Sequence, residues 1–154
     1  MATDRAQARA EVLLARIAGQ IPLTAAMQLQ LRAFDGERLR LGVPLAPNIN
    51  DKGTGFAGSI SALANIAGWC LLTLWGEAEL GHCQVAIAEA SLRYRKPVVS
   101  DFEAEVGLPA APDMTTFRQR LAEKGRARLT LVVDIRDRDG VAASMTADYV
   151  LWKI

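Results

Sequence analysis

The sequence predicts an α+β fold: a single domain in which one antiparallel sheet of about six strands wraps around a long central helix, with a further helix at the N-terminus. First, the segment from Gly58 to Glu77 lacks proline and is apolar nearly all the way round a helix, so other structure should cover it. Second, three hairpins flank that segment. Third, 154 residues suffice for one domain with its own core.

The first part of the chain predicts a helix followed by a hairpin. Thr3 is the predicted N-cap of a helix from about Asp4 to Gln20, and Pro22 ends it. The apolar stripe of this helix comprises Ala6, Ala10, Leu13, Leu14 and Ile17. The hairpin spans residues 27-46 and turns at Asp35 and Gly36, because the apolar period changes there to two. Its inward residues are Met27, Leu29, Leu31 and Ala33, then Leu39, Leu41, Val43 and Leu45.

The rest of the chain predicts a loop, the central helix and the remaining strands. The loop covers residues 47-57, the helix 58-77, and the remaining strands 85-152. Within this last part, Pro109 and Pro112 break the chain, and Gly125 stops a short helix. The predicted elements are strands Val85 to Tyr94 and Phe102 to Leu108, a helix from Thr115 to Lys124, and strands Ala127 to Arg136 and Val141 to Trp152.

Composition excludes several functional classes. A net charge of +1 and 51% hydrophobic residues argue against a nucleic-acid binder and against disorder. The most apolar part of the central helix, Ile60 to Leu74, is shorter than the ~18 residues of a membrane span and predicts core. The opening from Met1 to Arg16 is charged and amphipathic, unlike a signal peptide. We therefore expect a cytoplasmic protein that does not bind a membrane.

The cysteines and the single histidine do not form a recognisable reactive or metal-binding motif. Cys70 and Cys83 have neither CxxC nor metal-ligand spacing, so no metal site is predicted. His82 is the only imidazole that could serve a nucleophile. On a strand its neighbour Cys83 would point to the opposite side, which disfavours a Cys/His dyad.

Small and polar residues interrupt the apolar surface of the central helix along one line. Gly58, Ser61, Asn65, Gly68 and Trp69 follow helical i, i+3 or i+4 spacing. The pattern predicts one shared face that could line a site.

Several motifs resemble a known superfamily over nearly the whole chain. The NIN motif at residues 48-50, followed by FAGSI at 56-60 and NIAG at 65-68, is similar to the asparagine, Phe-Gly-Gly and Asp-x-Ala-Gly pattern of acyl-CoA thioesterases. YRKPV at 94-98 with Asp101 resembles the Tyr-x-x-Pro-Val element of the same proteins. These proteins have the hot-dog fold. PLAPNIN, KGT and FAGSISALANIAGW look closer still to the YiiD C-terminal-domain family of putative thioesterases, some of whose relatives are malonyl-carrier-protein decarboxylases.

The resemblance implies a substrate class and an assembly. The substrate would be an acyl thioester carried on coenzyme A or on the phosphopantetheine of an acyl carrier protein, with no other cofactor. The assembly would be a homodimer, alone or as a dimer of dimers, in which the strands from Val85 to Tyr94 pair across a two-fold axis. The partner subunit would complete each site.

One departure from the thioesterase pattern bears on the reaction. Asn65 stands where those enzymes have a helix aspartate, and an amide cannot take a proton from water at neutral pH. Decarboxylation of a malonyl thioester needs mainly a place for the enolate oxygen. We therefore predict a malonyl-acyl-carrier-protein decarboxylase that feeds the initiation of fatty-acid synthesis. A thioesterase is the first alternative, and a non-catalytic acyl-binding dimer the second.

The predicted catalytic groups are amides, hydroxyls and the start of the central helix. Asn50 and the backbone of Gly58 and Ser59 would bind the thioester oxygen, because a helix N-terminus offers free N–H groups and a positive dipole end. The residues that would orient the substrate are Asn48, Thr54 and Asn65, with Ser61 as a further donor. The alternative is that these residues cap turns or pair within the core.

Two further sets of residues are predicted to bind substrate. Phe56 and Trp69 would form an apolar wall, although tryptophan more often serves packing. The basic residues Lys52, Arg93, Arg95 and Lys96 would meet the phosphates of the carrier or the acidic face of an acyl carrier protein. Solvated surface is the alternative for the basic set.

Overall fold

The computed structural model describes residues 1–154 and contains four α-helices and six strands. The helices are α1 (Ala2–Gln20), α2 (Pro22–Ala26), α3 (Ala57–Leu80) and α4 (Ala111–Lys124). The strands are β1 (Gln30–Phe34), β2 (Arg38–Val43), β3 (Cys83–Tyr94), β4 (Phe102–Gly107), β5 (Arg126–Asp137) and β6 (Gly140–Lys153). A short 3₁₀ helix at Ala46–Asn48 lies in the loop before α3.

The six strands form one antiparallel sheet in the order β1-β2-β4-β5-β6-β3. Helix α3 packs on one face of this sheet, and Leu63, Leu71 and Leu72 of α3 are fully buried there. The alternating strand residues face the helix, as Leu39, Leu41 and Val43 of β2 illustrate with zero exposure. The predicted α+β architecture with one wrapped central helix is therefore confirmed.

Two glycines inside α3 let the helix approach the sheet closely. A Cβ atom on Gly68 would lie 2.3 Å from the hydroxyl oxygen of Tyr149 on β6. A Cβ on Gly76 would lie 2.6 Å from the Cys83 sulfur and 2.7 Å from Leu151. Gly68 therefore points into the core rather than sharing the polar face on which the sequence pattern placed it.

The first hairpin begins later than predicted because a short helix precedes it. Pro22 occupies the first turn of α2, where a missing N–H costs nothing, so it starts a helix as well as ending α1. Met27 follows α2 and is buried, but it is not part of a strand. Thr3 lies inside α1, whose N-cap is Met1.

Two helix ends also differ from the prediction. Helix α3 continues to Leu80 and stops before Gly81, which has a φ of 80°, instead of ending near Glu77. Helix α4 starts at Ala111, four residues before the predicted Thr115, because Pro112 is again accommodated in a first helical turn.

Helix α3 is long and apolar enough to cross a membrane, by length and composition only. A core helix of a globular fold has the same two properties, and here 56% of its most apolar 18-residue window is buried against the rest of the chain. The length test alone therefore gives weak support for a membrane span.

Candidate active site

The start of helix α3 has backbone N–H groups that no side chain caps. Phe56 is the N-cap residue, with φ −68° and ψ 130°, and its side chain is apolar. The first amide that bonds within the helix is that of Ile60, which donates to the Phe56 carbonyl at 3.0 Å. The N–H groups of Ala57, Gly58 and Ser59 thus lack an intrahelical acceptor at the positive end of a 24-residue helix.

The Phe56 ring lies over Gly58 at this helix start. A Cβ on Gly58 would lie 2.3 Å from the ring edge, so only glycine fits beneath the ring in its present position. The ring is 53% exposed. Phe56 thereby provides an apolar surface beside free N–H donors, although it does not itself line the pocket of α3.

The loop before the helix is organised by Asn50. Its Oδ1 accepts hydrogen bonds from the backbone N–H groups of Lys52 (2.8 Å) and Thr54 (3.0 Å). Its Nδ2 donates to Thr54 Oγ1 (2.9 Å) and to the Gly55 carbonyl (3.3 Å). Two acceptor and two donor positions are the full capacity of an amide side chain, so Asn50 is satisfied within its own loop. It therefore holds the loop in shape, with Thr54 as its partner, and this geometry corresponds to the turn-forming alternative.

Asn48 ties three segments together beneath the loop. It is 2% exposed, and its Nδ2 donates to the carbonyls of Met27 (3.0 Å) and Pro44 (2.8 Å). Its own carbonyl accepts the N–H of Phe56 at 2.8 Å, directly before α3. The Oδ1 atom is buried without a partner. Asn48 thus connects the end of β2 and the end of α2 to the start of the helix.

A pocket of about 410 Å³ lies beside the first half of α3. Gly58, Ser61, Asn65 and Trp69 line it, so the structure brings together four of the five residues predicted to share a face. The opposite wall comes from α2 and the segments around it. The remaining lining residues are Ile21, Leu23, Thr24, Met27, Leu29, Ala62 and Ile66.

The opposite wall of the pocket was not predicted from the sequence. The Ile21-Pro22 step could have suggested it, because proline favours the first turn of a helix. The five-residue length of α2 leaves no periodic pattern that would identify the helix or its inward face.

All side chains that line the pocket are uncharged. The acceptors and donors are the amide of Asn65 and the hydroxyls of Ser61 and Thr24. Glu77 lies nineteen residues after Gly58, about 28 Å along the helix. It pairs with Arg16 at 2.8 Å. Asp51 is exposed and pairs with Lys52 at 3.0 Å. Within one chain, therefore, no carboxylate reaches this pocket.

The cysteines are protonated at neutral pH and do not line the pocket. Burial raises the pKa of the Cys70 thiol to about 12. Partial burial, with a further contribution from the charge of Glu77, raises the pKa of Cys83. A thiol nucleophile needs a lowered pKa, so neither residue has the electrostatics of one. No group of three or more histidine, cysteine or acidic side chains is close enough to hold a metal ion.

The predicted basic residues lie outside the pocket. Lys96 donates from Nζ to the carbonyl of Asp139 at 3.0 Å, whereas Arg93 and Arg95 are exposed and form no ion pair. Between these arginines, the Tyr94 hydroxyl donates to the carbonyl of Ala57 at 3.1 Å. This contact brings the end of β3 to the first turn of α3, whereas Arg93, its neighbour on the strand, points to the other face of the sheet.

A six-stranded antiparallel sheet wrapped around one long helix, with an uncapped helix start beside an apolar pocket, defines a protein of the hot-dog fold, whose solved members include thioesterases. Residues 10–153 match the family described as "Putative thioesterase (yiiD_Cterm)". The chain belongs to this family, and the predicted resemblance is confirmed.

Solved structures show the same architecture. A protein of unknown function from Chlorobaculum tepidum TLS is similar with a TM-score of 0.87 and 27% identity, over 94% of this chain and 94% of that one. A structure described as a putative thioesterase from Shewanella oneidensis has a TM-score of 0.82 and 28% identity, over 92% and 96% of the two chains. A Pseudomonas aeruginosa protein described as a probable thioesterase has a TM-score of 0.79 at 24% identity, over 100% and 97%, which is a likeness of fold.

Proposed function

We propose that this protein decarboxylates a malonyl thioester, carried on an acyl carrier protein, to the acetyl thioester. The observation that supports it is the uncapped start of α3 beside a pocket whose polar groups are all neutral. The C–C bond to the carboxylate breaks, its electron pair moves into an enolate, and carbon dioxide leaves. The enolate carbon then takes a proton from water to give the acetyl group.

The thioester oxygen is assigned to the free N–H groups of Gly58 and Ser59. Negative charge develops on this oxygen in the enolate, and the helix dipole and the amide donors stabilise that charge. One such donor is worth about 2.7–4 kcal/mol of transition-state stabilisation in other enzymes. Asn50 and Thr54 act as positioning residues, because their hydrogen bonds shape the loop that leads into the helix.

The neutral pocket also suits the malonyl carboxylate. A carboxylate on the helix would repel this group, whereas Asn65 and Ser61 donate hydrogen bonds without negative charge. The apolar residues of the lining disfavour the charged group relative to neutral carbon dioxide. Both effects favour loss of the carboxylate over attack by water.

Hydrolysis of an acyl thioester is the second candidate. Its support is the description of the family as thioesterases and the apolar character of the pocket. Within one chain the site lacks a carboxylate to activate water, so hydrolysis would require one from a partner subunit. The third candidate, a non-catalytic acyl-binding dimer, has the same pocket as its only support.

The carrier and the assembly belong to the same proposal. Arg93 and Arg95 are exposed cations that flank Tyr94, suited to phosphate or to an acidic carrier surface. Strand β3 is an edge strand of the sheet, so its free side is available to the same strand of a second copy in a homodimer. The phosphopantetheine is part of the substrate, and we propose that the enzyme uses no other cofactor. We also propose that the protein is cytoplasmic.

A product assay tests the reaction. Malonyl-carrier protein is incubated with the enzyme, and the mass of the acylated carrier is determined by mass spectrometry. The carbon dioxide released is measured in the same reaction. Acetyl-carrier protein with an equal amount of carbon dioxide is the expected result. Free malonate and free thiol would show that the enzyme hydrolyses the thioester and does not decarboxylate it. An unchanged malonyl-carrier protein would favour the non-catalytic dimer.

A variant at the start of α3 tests the position of the thioester oxygen. Ala57→Pro removes one free N–H at the first helical position, where proline is tolerated and where the extended Phe56 suits a following proline. Because the assigned donors are Gly58 and Ser59, this variant should keep its activity within about twofold. A folded variant that loses activity a hundredfold or more would indicate that the Ala57 amide binds the thioester oxygen. That result would contradict the assignment to Gly58 and Ser59.

A further inference from the structure

A second cavity of about 420 Å³ lies along the same face of α3, one turn beyond the pocket described above. Thr73, Cys83 and Gln84 line it, together with the Arg16–Glu77 ion pair at its rim. Its lining is more polar than that of the first pocket. Thr73 is 5% exposed, and its hydroxyl has no hydrogen-bond partner.

Trp69 is the one side chain that lines both cavities. Its Nε1 donates to the carbonyl of Val85 on β3 at 2.9 Å, which fixes the orientation of the indole. Asn65, one turn earlier, faces the first cavity, and Thr73, one turn later, faces the second. The indole therefore stands between them.

We infer that the first pocket binds a saturated acyl chain of medium length and that Trp69 is the floor that limits this length. This inference goes beyond the proposed function and rests on it only for the position of the thioester oxygen. The pocket exceeds what a malonyl group requires, and its walls between that oxygen and Trp69 are mostly apolar. Under hydrolysis such a thioester is the substrate, and under decarboxylation it is a competing ligand.

The helix geometry sets the length of the chain that fits. Trp69 lies eleven residues after Gly58, about 16 Å along the axis. An extended alkyl chain with ~1.5 Å bonds advances about 1.25 Å per carbon. After roughly 3.5–4 Å is subtracted for van der Waals contact between the last carbon and the indole, the floor is reached after roughly ten carbons.

Binding of thioether analogues of acyl-coenzyme A, with two to sixteen carbons, tests the inference by calorimetry. These analogues cannot react, so the result does not depend on whether the enzyme decarboxylates or hydrolyses. For the wild type, affinity should rise about threefold to fourfold per added methylene up to the limit and then stop rising. Affinity that is independent of chain length would exclude an acyl chain from this pocket and leave the product assay untouched.

Variants of the floor give the decisive comparison. Trp69→Ala should move the limit by at least four carbons, and Trp69→Leu by fewer. Adding Thr73→Val to Trp69→Ala should strengthen binding of the longest chains further, since a methyl replaces the unpartnered hydroxyl. Trp152→Leu, which lies outside both cavities, is the matched control and should keep the wild-type limit. A folded Trp69→Ala or Trp69→Leu protein with the wild-type limit would overturn the role of Trp69.

Discussion

The hydroxyl of Tyr149 donates a hydrogen bond to the main-chain carbonyl of Asn65 at 2.8 Å. Burial raises the pKa of this tyrosine, so its hydroxyl remains a donor through neutral and moderately alkaline pH. The bond joins β6 to the middle of α3, at a residue whose side chain lines the pocket. It therefore fixes the turn whose Asn65 side chain lines the pocket.

Tyr149→Phe should lower the free energy of unfolding by about 0.5–1.5 kcal/mol, because it removes this hydrogen bond and leaves the ring in place. Urea unfolding followed by circular dichroism measures the change. Tyr94→Phe is the matched control, since its hydroxyl bonds the Ala57 carbonyl at the protein surface. The control variant should lose less free energy of unfolding than Tyr149→Phe. Equal losses would mean that burial does not strengthen the hydrogen bond of Tyr149.

Gly68→Ala should cost about 1–3 kcal/mol of stability, because the new methyl would overlap the Tyr149 ring. Gly19→Ala provides a comparison within another helix, since a Cβ there meets nothing within 4 Å. That change should be neutral or stabilise by up to about 1 kcal/mol through helix propensity. Thermal unfolding of both variants tests the close approach of α3 to β6, and equal melting temperatures would contradict it.

Asn50→Ala should loosen the loop before α3 and lower turnover about tenfold or more, because four hydrogen bonds within the loop disappear. Hydrogen exchange at the Lys52 and Thr54 amides measures the loosening independently of activity. Asn50→Asp keeps the two acceptor bonds and should protect these amides better than alanine does. A slow-exchanging loop in Asn50→Ala would show that the side chain is dispensable for its shape.

Asn65→Asp should lower decarboxylation by at least tenfold, since a second negative charge in the pocket repels the malonyl carboxylate. The same carboxylate is a potential base for water and is expected to introduce some release of free thiol. Mass spectrometry of the carrier separates the two products. Unchanged rates in a folded variant would remove Asn65 from the site.

Alkaline pH should destabilise the fold through Cys70. The pKa of this thiol is about 12 in the folded chain against an ordinary 9.0, so between these values the unfolded state releases a proton that the folded state keeps. Stability from this group is complete below pH 9 and falls as the pH rises toward 12. Urea midpoints at several pH values should decline less steeply for Cys70→Ala than for the wild type. If the urea midpoints of the two proteins decline in parallel, the loss of stability at alkaline pH comes from groups other than Cys70.

The sequence predicted the fold well where its patterns were long. Strands β5 and β6 alternate over twelve and fourteen residues, and α3 is apolar over most of its length. Errors arose where one residue type has two uses. Pro22 and Pro112 predicted breaks in the chain, although proline also begins helices, and both lie in the first turn of a helix.

The site was predictable only along the helix. Regular spacing placed Ser61, Asn65 and Trp69 on one face, because a helix has a fixed period. The opposite wall depends on how α2 packs across the chain, and that arrangement leaves no periodic signal. For Asn50, the residue type indicates which hydrogen bonds the side chain can form. It does not indicate that partners within the same loop occupy all of its donors and acceptors. The roles of the individual site residues stay predictions.

Gly68 and Gly76 have one more consequence for α3. Each glycine weakens an isolated helix by about 1 kcal/mol relative to alanine, so this helix depends on β6 for its persistence. The middle of α3 is thus held in place by a strand that contributes no side chain to the pocket. A substitution in β6 that loosens this contact is expected to disturb the pocket without changing any residue that lines it.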